Sequence, residues 1–463
     1  MSSIRSFDVF DTLLARRYIN SDTIWETMES DYSIPGFASS RKASDTGSRN
    51  LKEIYDVLAN IGLITNEQAK TMFADEILRE QQLAFPIKEN LAKVRNGDLL
   101  VSDMYMQAPD ILNLVRSVGL DKQVTIYQSN GDKSTGAFWR IMQGKLDLEY
   151  HIGDNVNSDY NMPRNYGFNA VHYSNTNGLT STEDYLISIG LKHLGFLIRE
   201  IRLSNYEPDH TMFFEIASQK NLLLVFLFCE ILRRKHGDRP IVFLGRDCQL
   251  TQKIYSAYFG VQSYYLPFSR EVAFKCTDNA VEYLKTHLPS NPVLVDISST
   301  GRTWEVICSQ HPFDVEVFIY SDTYWYSKDK PQLPANFNYI HANSVIGSTS
   351  IVLEVFNCGD HGKINNINIV NGVPVCEFGE TELPLDVIDV IHKPVNNAVE
   401  LRNRGYYSQV TSELSLLDDE TLSMMSSQLL TIISNTPIMQ LNENGVMDSF
   451  NRQEESYLDA ISE

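Results

Sequence analysis

The sequence predicts an α/β protein: a doubly wound parallel sheet with a helical insertion, a second α/β domain behind it, and a mostly helical C-terminal region. Three observations carry that reading. Short apolar runs alternate with helical stretches twice over, first between residues 6 and 175 and again between 240 and 320. A long helical stretch, about 21 to 85, separates the first apolar run from the next. Hydrophobic residues make up 43% and charged residues 21% of 463, which supplies packed cores for two or three domains.

The first element is Ser6-Phe7-Asp8-Val9-Phe10-Asp11-Thr12-Leu13-Leu14, read as a buried strand completed through Val9 to Leu14 with its exit turn. In the helical stretch that follows, Ile54, Leu58 and Ile61 keep a stripe, and Thr65 with Gln68 is spaced as a capping box. Leu99 to Val101 is a short strand ending in Ser102-Asp103. A helix runs from Pro109 and closes at Gly119. Val124 to Tyr127 leads to Gly131-Asp132-Lys133-Ser134-Thr135-Gly136, then a helix Ala137 to Met142. His151-Ile152-Gly153-Asp154 opens a polar run ending in Asp159. Asp8, Ser102, Lys133 and the pair Asp154 and Asp159 thus fall at the carboxyl ends of successive strands, the edge where open α/β sheets bind ligands.

Those four points, in that order, resemble motifs I to IV of the haloacid dehalogenase (HAD) superfamily, over roughly residues 1 to 175. The phrases Ser-Asp-Met-Tyr and Gly-Asp-Asn-x-x-Ser-Asp also resemble a bacterial subgroup of HAD hydrolases. The resemblance implies Asp8 as a nucleophile that takes up a phosphoryl group, Ser102 as a hydrogen-bond donor to a phosphoryl oxygen, and Lys133 as the neutralising cation. It implies Mg²⁺ held by Asp8, by Asp154 or Asp159, and by the backbone carbonyl of Phe10. Singly, Ser102 and Lys133 would read as a cap and a surface lysine. HAD phosphatases carry a second aspartate two positions after the nucleophile; here that position is Phe10. Asp11 is the nearest substitute acid and base. Dehalogenases of the superfamily lack that aspartate too, so a dehalogenase-like or weakly catalytic domain stays open.

Asn175 to Asp184, rich in Asn, Thr, Ser and Gly, marks a boundary, and a helix Thr211 to Arg234 follows. Pro240 to Leu244 is a strand ending at Gly245-Arg246-Asp247. Tyr264 to Phe268 ends at Ser269-Arg270, and Val315 to Tyr320 is a further strand. Between them lies Val293-Leu294-Val295-Asp296-Ile297-Ser298-Ser299-Thr300-Gly301-Arg302-Thr303. An apolar strand, an acid, then small residues before a helix suit anion capture on backbone N–H groups. This segment resembles the phosphoribosyl pyrophosphate (PRPP) loop of type I phosphoribosyltransferases, with Asp296 and Thr300 to Thr303 matching; Val295 stands where that family often has a first acid. The resemblance places Arg246 and Asp247 at the pyrophosphate loop and Arg270 at the basic position after the second strand. Beyond 331, Ile351 to Phe356 and Val373 to Phe378 read as strands, His361 as a structural loop histidine, 385 to 437 as helical and 449 to 463 as an acidic tail. The expected domains are 1 to 178 (insertion about 18 to 88), 179 to 380 and 381 to 463.

A net charge of −20, from 39 basic and 59 acidic residues, argues against a broad nucleic-acid surface. The six cysteines show no metal spacing. The N-terminus has no signal-peptide core, and the apolar run Leu222 to Cys229 is shorter than a membrane span. A cytoplasmic protein acting on a small phosphorylated metabolite, a sugar phosphate or PRPP, is the expectation; nothing in the sequence fixes an oligomeric state. Two enzyme readings follow. One is a Mg²⁺-dependent phosphohydrolase fused to a phosphoribosyltransferase-like domain, transferring phosphoribose and then removing the 5-phosphate. The other is a sugar-phosphate or nucleotide-sugar hydrolase with a non-catalytic C-terminal half. A third reading is a metabolite-sensing regulator with degenerate sites, favoured by Phe10 and Val295.

Overall fold

A computed structural model describes residues 4–18, 21–299, 301–311, 316–322, 337–341, 349–381 and 383–434. The acidic tail, Thr300 and the side chains of Ser298 and Arg302 lie outside the described parts. The chain forms two units, Met1–Asp184 with Arg199–Tyr206, and Tyr185–Ile198 with Glu207–Glu463.

The first unit is built on β1 (Ile4–Phe7). A two-stranded antiparallel ribbon, β2 (Leu14–Arg16) with β3 (Ala84–Pro86), brackets four helices: Asp22–Tyr32, Phe37–Ser44, Leu51–Asn60 and Asn66–Leu83. The main sheet continues with β4 (Leu99–Ser102), β5 (Thr125–Gln128), β6 (Leu148–Gly153) and β7 (Ala170–His172). All five strands are parallel, in the order β5-β4-β1-β6-β7. The order reverses at β1, so the crevice beside it is the switch point of the sheet. The pleat sorts the core. Leu100 packs with Ile111, Leu114 and Val115 on one side, while Leu99 and Val101 pack with Phe138 and Trp139 on the other.

The inserted helices carry their own local signals. Thr65 and Gln68 make the expected reciprocal capping box, and Asn50 with Glu53 makes a second. Ile54 and Leu58 are buried as their stripe requires, but Ile61 is 64% exposed because the helix has ended and its chain turns out. The predicted strand from Val9 to Leu14 is a correction. The strand stops at Phe7, and the N–H groups of Leu13 and Leu14 both turn back onto the Val9 carbonyl, at 2.8 and 3.2 Å.

The second unit has its own parallel sheet: β8 (Ile241–Leu244), β9 (Ser263–Leu266), β10 (Val293–Ser299), β11 (Glu316–Asp322) and β12 (Phe337–His341), in the order β12-β11-β10-β8-β9. The reversal here lies between β8 and β10. An antiparallel ribbon, β13 (Ile364–Val370) with β14 (Val373–Phe378), follows. Residues 351 to 356, predicted as a strand, lie in the helix Thr349–Asn357. Val352, Leu353, Val355 and Phe356 are all buried, and a helix enclosed nearly all round loses the polar face that would reveal its period.

Helix 385 to 403 and two shorter helices fill the predicted helical region to residue 434. The continuous helix Thr211–His236, 26 residues, is long and apolar enough to cross a membrane, and 83% of its apolar window is buried inside the protein. All six cysteines are free thiols.

Candidate active site

Parallel register assembles the site in the first unit. Phe7 is level with Leu100 on β4 and with Ile152 on β6. Asp8, one residue beyond that level, and Ser102 and Asp154, two residues beyond it, fall at the same edge of the sheet. The Asp8 N–H donates to the Ile152 carbonyl at 2.8 Å, which anchors the residue just past the strand end. Asp11 closes the turn in the left-handed conformation (φ 56°), its N–H on the Leu14 carbonyl at 2.6 Å. An aspartate tolerates that region better than most residues.

Asp8, Ser102, Lys133 and Asp159 are all buried. Lys133 Nζ donates to Asp8 Oδ1 and lies 2.8 Å from Asp159 Oδ1. Thr12 Oγ1 donates to Asp8 Oδ2 at 3.2 Å. Both nucleophile-candidate oxygens are therefore oriented. Burial pushes the Asp8 carboxyl well above the usual carboxylate range, with Lys133 opposing and the charges of Asp159 and Asp154 adding. Burial acts on Asp159 as well, but Lys133 and the hydrogen bond from His151 outweigh it and hold that carboxyl below its usual range. Asp159 is thus the fixed anion, and Lys133, despite burial, is held as a cation by both carboxylates.

Carboxylate oxygens of Asp8, Asp154 and Asp159 lie within 4.8 Å of one another, an all-oxygen set that could hold a metal ion. Their free valences differ. Asp159 accepts from Lys133, from His151 Nε2 at 3.1 Å, from the Asn155 N–H at 3.0 Å and from Ser158 Oγ at 3.3 Å, about the full capacity of a carboxylate. Asp154 accepts from Asn177 Nδ2 and is half-buried. Burial, with the Asp11 charge next, lifts its carboxyl to about 6. Gly153 is dictated by this packing: a Cβ there would sit 2.3 Å from Asp159 Cγ.

Phe10 does not reach for the site with its side chain. Its ring is buried beneath the Arg16 guanidinium, 4.4 Å from centroid to Cζ, and Arg16 is bonded to Glu80 at 2.7 and 2.9 Å. Asp11 is the acid that approaches the cluster. Burial raises its carboxyl, with Arg16 and Arg199 opposing.

Two residues given no site role from sequence hold the rest in place. Asp103 accepts from Ser129 Oγ and from the N–H groups of Gly131 (3.2 Å), Lys133 (3.3 Å) and Ser134 (3.0 Å), tying the turn after β4 to the turn that presents Lys133. His151, kept neutral by burial, bridges Ser6 Oγ at 2.8 Å and Asp159. Their only sequence signal was position at a strand end or turn.

In the second unit the strand expected to end at Val295 runs on to Ser299, so Asp296 lies within β10, level with Ile319 on β11, while the neighbouring β8 ends at Leu244 and gives way to the turn Gly245-Arg246-Asp247 beside the switch point. Arg246 Nε lies 3.4 Å from Asp247 Oδ1. Burial raises the Cys248 thiol, and the charges of Asp296 and Asp247 add to this, so both carboxylates flank it. Gly301, in the left-handed conformation (φ 77°), is the N-cap of the helix Arg302–Gln310; its N–H donates to Ser299 Oγ at 3.1 Å, and Thr303 lies in the first turn. Arg270 begins the helix Arg270–Lys275 after β9 and is exposed. His361, read as a structural loop residue, bonds Tyr265 Oη at 2.6 Å at the end of β9. A Cβ on Gly359 would lie 3.1 Å from the Arg246 carbonyl oxygen, so that loop is seated on the Arg246 turn.

Set against protein-family models and against curated proteins, the sequence matches none.

Proposed function

We propose that the first unit is a Mg²⁺-dependent phosphohydrolase that works through an aspartyl phosphate on Asp8. The observation that carries this is a buried carboxylate at the switch point of a parallel sheet, bonded to a buried lysine and within a single ion's reach of two further carboxylates. A carboxylate set of this kind suits a hard divalent cation. Asp8 and Asp154 would hold it directly, and Asp159, already saturated, would act by fixing Lys133. The cation would draw charge from the phosphoryl oxygens and so let two anions meet.

The protein's own groups supply the remaining steps. An Asp8 oxygen attacks phosphorus, and the bond from phosphorus to the ester oxygen breaks. Asp11 protonates the leaving oxygen, then takes a proton from the water that attacks the aspartyl phosphate, releasing phosphate and restoring Asp8. Lys133 balances the charge of Asp8 throughout, and the Ser102 hydroxyl meets a phosphoryl oxygen. Asp11 fits the acid role by its raised carboxyl and its closeness to Asp154. Release of p-nitrophenol from p-nitrophenyl phosphate tests the reading: turnover that requires Mg²⁺ supports it, and no turnover at any Mg²⁺ concentration discards it.

A second reading concerns the second unit, favoured by Asp296 on β10, whose neighbour β8 ends at the Arg246 turn, and by the Gly301 cap of the following helix. It is PRPP binding at that edge, with the phosphate on the helix N-terminus and the acid on the ribose hydroxyls. Phosphoribosyl transfer there would give a 5-phosphate product that the first unit could hydrolyse. Calorimetric titration with PRPP tests it, and absence of heat rejects it.

A further inference from the structure

Asp11 is the acid of the proposed reaction, yet among the described residues its carboxylate accepts no hydrogen bond, and its side chain is 30% exposed. A group that must hand a proton to one oxygen needs a fixed direction. The backbone supplies part of it, through the left-handed turn and the Asp11 N–H on the Leu14 carbonyl. The rest comes from Arg199, in the helix Lys192–Leu203, beyond the stretch that resembles the HAD motifs. Its Nη2 lies 3.8 Å from Asp11 Oδ1. We propose that Arg199 is the positioning residue for Asp11, holding its carboxylate toward the leaving oxygen and fixing two other parts of the site with the same guanidinium. This rests on the phosphohydrolase reading above.

Arg199 is itself firmly held. It is 2% exposed. Nη1 donates to the Arg16 carbonyl at 3.0 Å and Nη2 to the Thr176 carbonyl at 3.3 Å. Cζ lies 5.8 Å from the centre of the Phe85 ring on β3. A planar fork held at two carbonyls and against a ring cannot swing to follow a mobile partner, so it is Asp11 that settles toward Arg199. Both carbonyls matter to the site. Arg16 ends β2, the strand that follows the Asp11 turn. Thr176 precedes Asn177, whose Nδ2 donates to Asp154. One cation thus ties together the acid, the foot of the helical insertion and the loop beside Asp154.

Distance decides what the pair can do. At 3.8 Å the contact is beyond hydrogen-bond reach. Attraction steers the carboxylate while both of its oxygens stay open to carry the proton; a closed bidentate pair would occupy them. Arg16, the other arginine near Asp11, is bonded to Glu80 at 2.7 and 2.9 Å and covers Phe10, so it is committed elsewhere. Asp11 also stands one position beyond the place of the family's acid, so an anchor from outside the turn has a purpose here.

The test compares phenyl phosphate with p-nitrophenyl phosphate, using the full chain and Mg²⁺. The two are close in shape, but phenolate leaves less readily than p-nitrophenolate and depends more on a donated proton. The ratio of their kcat/KM values cancels any difference in folded fraction between preparations. That ratio, phenyl over p-nitrophenyl, should fall about tenfold in Arg199→Met and at least as far in Asp11→Asn. Adding Arg199→Met to Asp11→Asn should lower it by less than about twofold more, since the two residues act as one unit. Arg199→Lys keeps the charge without the fork and is read in the same way should Arg199→Met fail to fold; its ratio should fall about threefold. Equal losses for both substrates, with an unchanged ratio, would make Arg199 a structural residue and overturn the inference. So would an unchanged ratio in Asp11→Asn, or a further fall of about tenfold in the double variant. In each of those cases turnover of p-nitrophenyl phosphate leaves the phosphohydrolase reading standing. No turnover of it by the unmodified protein removes that reading, and this inference with it.

Discussion

The two sheets present polar residues at equivalent places and treat them differently. In the first unit the charges beside the switch point are buried and interlocked: Lys133 is 3% exposed, Asp159 1% and Asp8 6%. In the second unit Arg246, Asp247 and Asp296 are half-buried and Arg270 is exposed. Buried charges are tolerated only when each has partners, so the first arrangement needs every member in place and is rigid before any ligand arrives. That preorganisation suits bond-making chemistry. The second arrangement leans on a backbone cap and half-buried side chains, which suits reversible capture of an anion.

If that contrast is right, single substitutions should be catastrophic for activity in the first unit and modest in the second. The largest effect is expected for Asp8→Asn. The amide keeps the shape but cannot act as the nucleophile, so Mg²⁺-dependent phosphate release should fall at least about 10⁴-fold, while far-ultraviolet circular dichroism is unchanged. Full activity in that variant would end the comparison at once. Next comes Lys133→Met. It leaves Asp8 and Asp159 buried with no cation, so activity should drop about 10²–10³-fold. Stability should drop by about 3–5 kcal/mol, read from urea denaturation. A stability loss below about 1 kcal/mol would show that the site is not interlocked as described.

A pH titration sharpens the same contrast. In the folded chain Asp154 holds its proton up to about pH 6, against 3.8 for an ordinary aspartate. Across that window the folded state binds more protons than the unfolded one, so stability should fall as pH rises from about 4 to 6 and level off above. Asp8 and Asp11, also raised, act in the same direction. Asp159, held low, stabilises throughout this range and loses its contribution only in stronger acid. Mg²⁺ competes with the Asp154 proton, so its stabilising effect in thermal melts should be larger at pH 7 than at pH 5. Asp154→Asn should flatten the slope of the metal-free protein; an unaltered slope would place the titration elsewhere.

Much of the first unit was legible because each of its motifs is local. An apolar run of three or four residues, a polar residue and a helical stripe fit in about ten positions, and their order sets the sheet edge. What stayed hidden depends on distant partners. Nothing near His151 in the sequence reveals Ser6, which lies 145 residues away, as its partner, and Asp103 finds its donors about 30 residues on. Arg16 covers the Phe10 ring from only six residues away, but no apolar period or turn signal marks that contact. The helix Thr349–Asn357 was misread because a run of buried apolar residues has no period to read.

The smallest expected effect belongs to the second unit and tests its half of the contrast. Gly301 holds φ 77° and caps the helix Arg302–Gln310. A valine at that position would put a branched Cβ into the left-handed region, at a cost of roughly 1–2 kcal/mol. The cap has two ways to respond. It can keep its shape under strain, or the loop can relax and withdraw N–H groups from the phosphate position. The first would lower stability slightly and leave PRPP affinity intact; the second would weaken affinity by about tenfold, one lost charge-assisted hydrogen bond being worth about 1.4 kcal/mol or more. Relaxation is the expected outcome, since a helix N-terminus is readily remodelled and a buried strand is not. Calorimetry with PRPP on Gly301→Val therefore reads the loop directly, while phosphate release by the first unit should match the unmodified protein. A loss of both functions together would mean that the two sheets do not act independently, and the contrast between them would have to be given up.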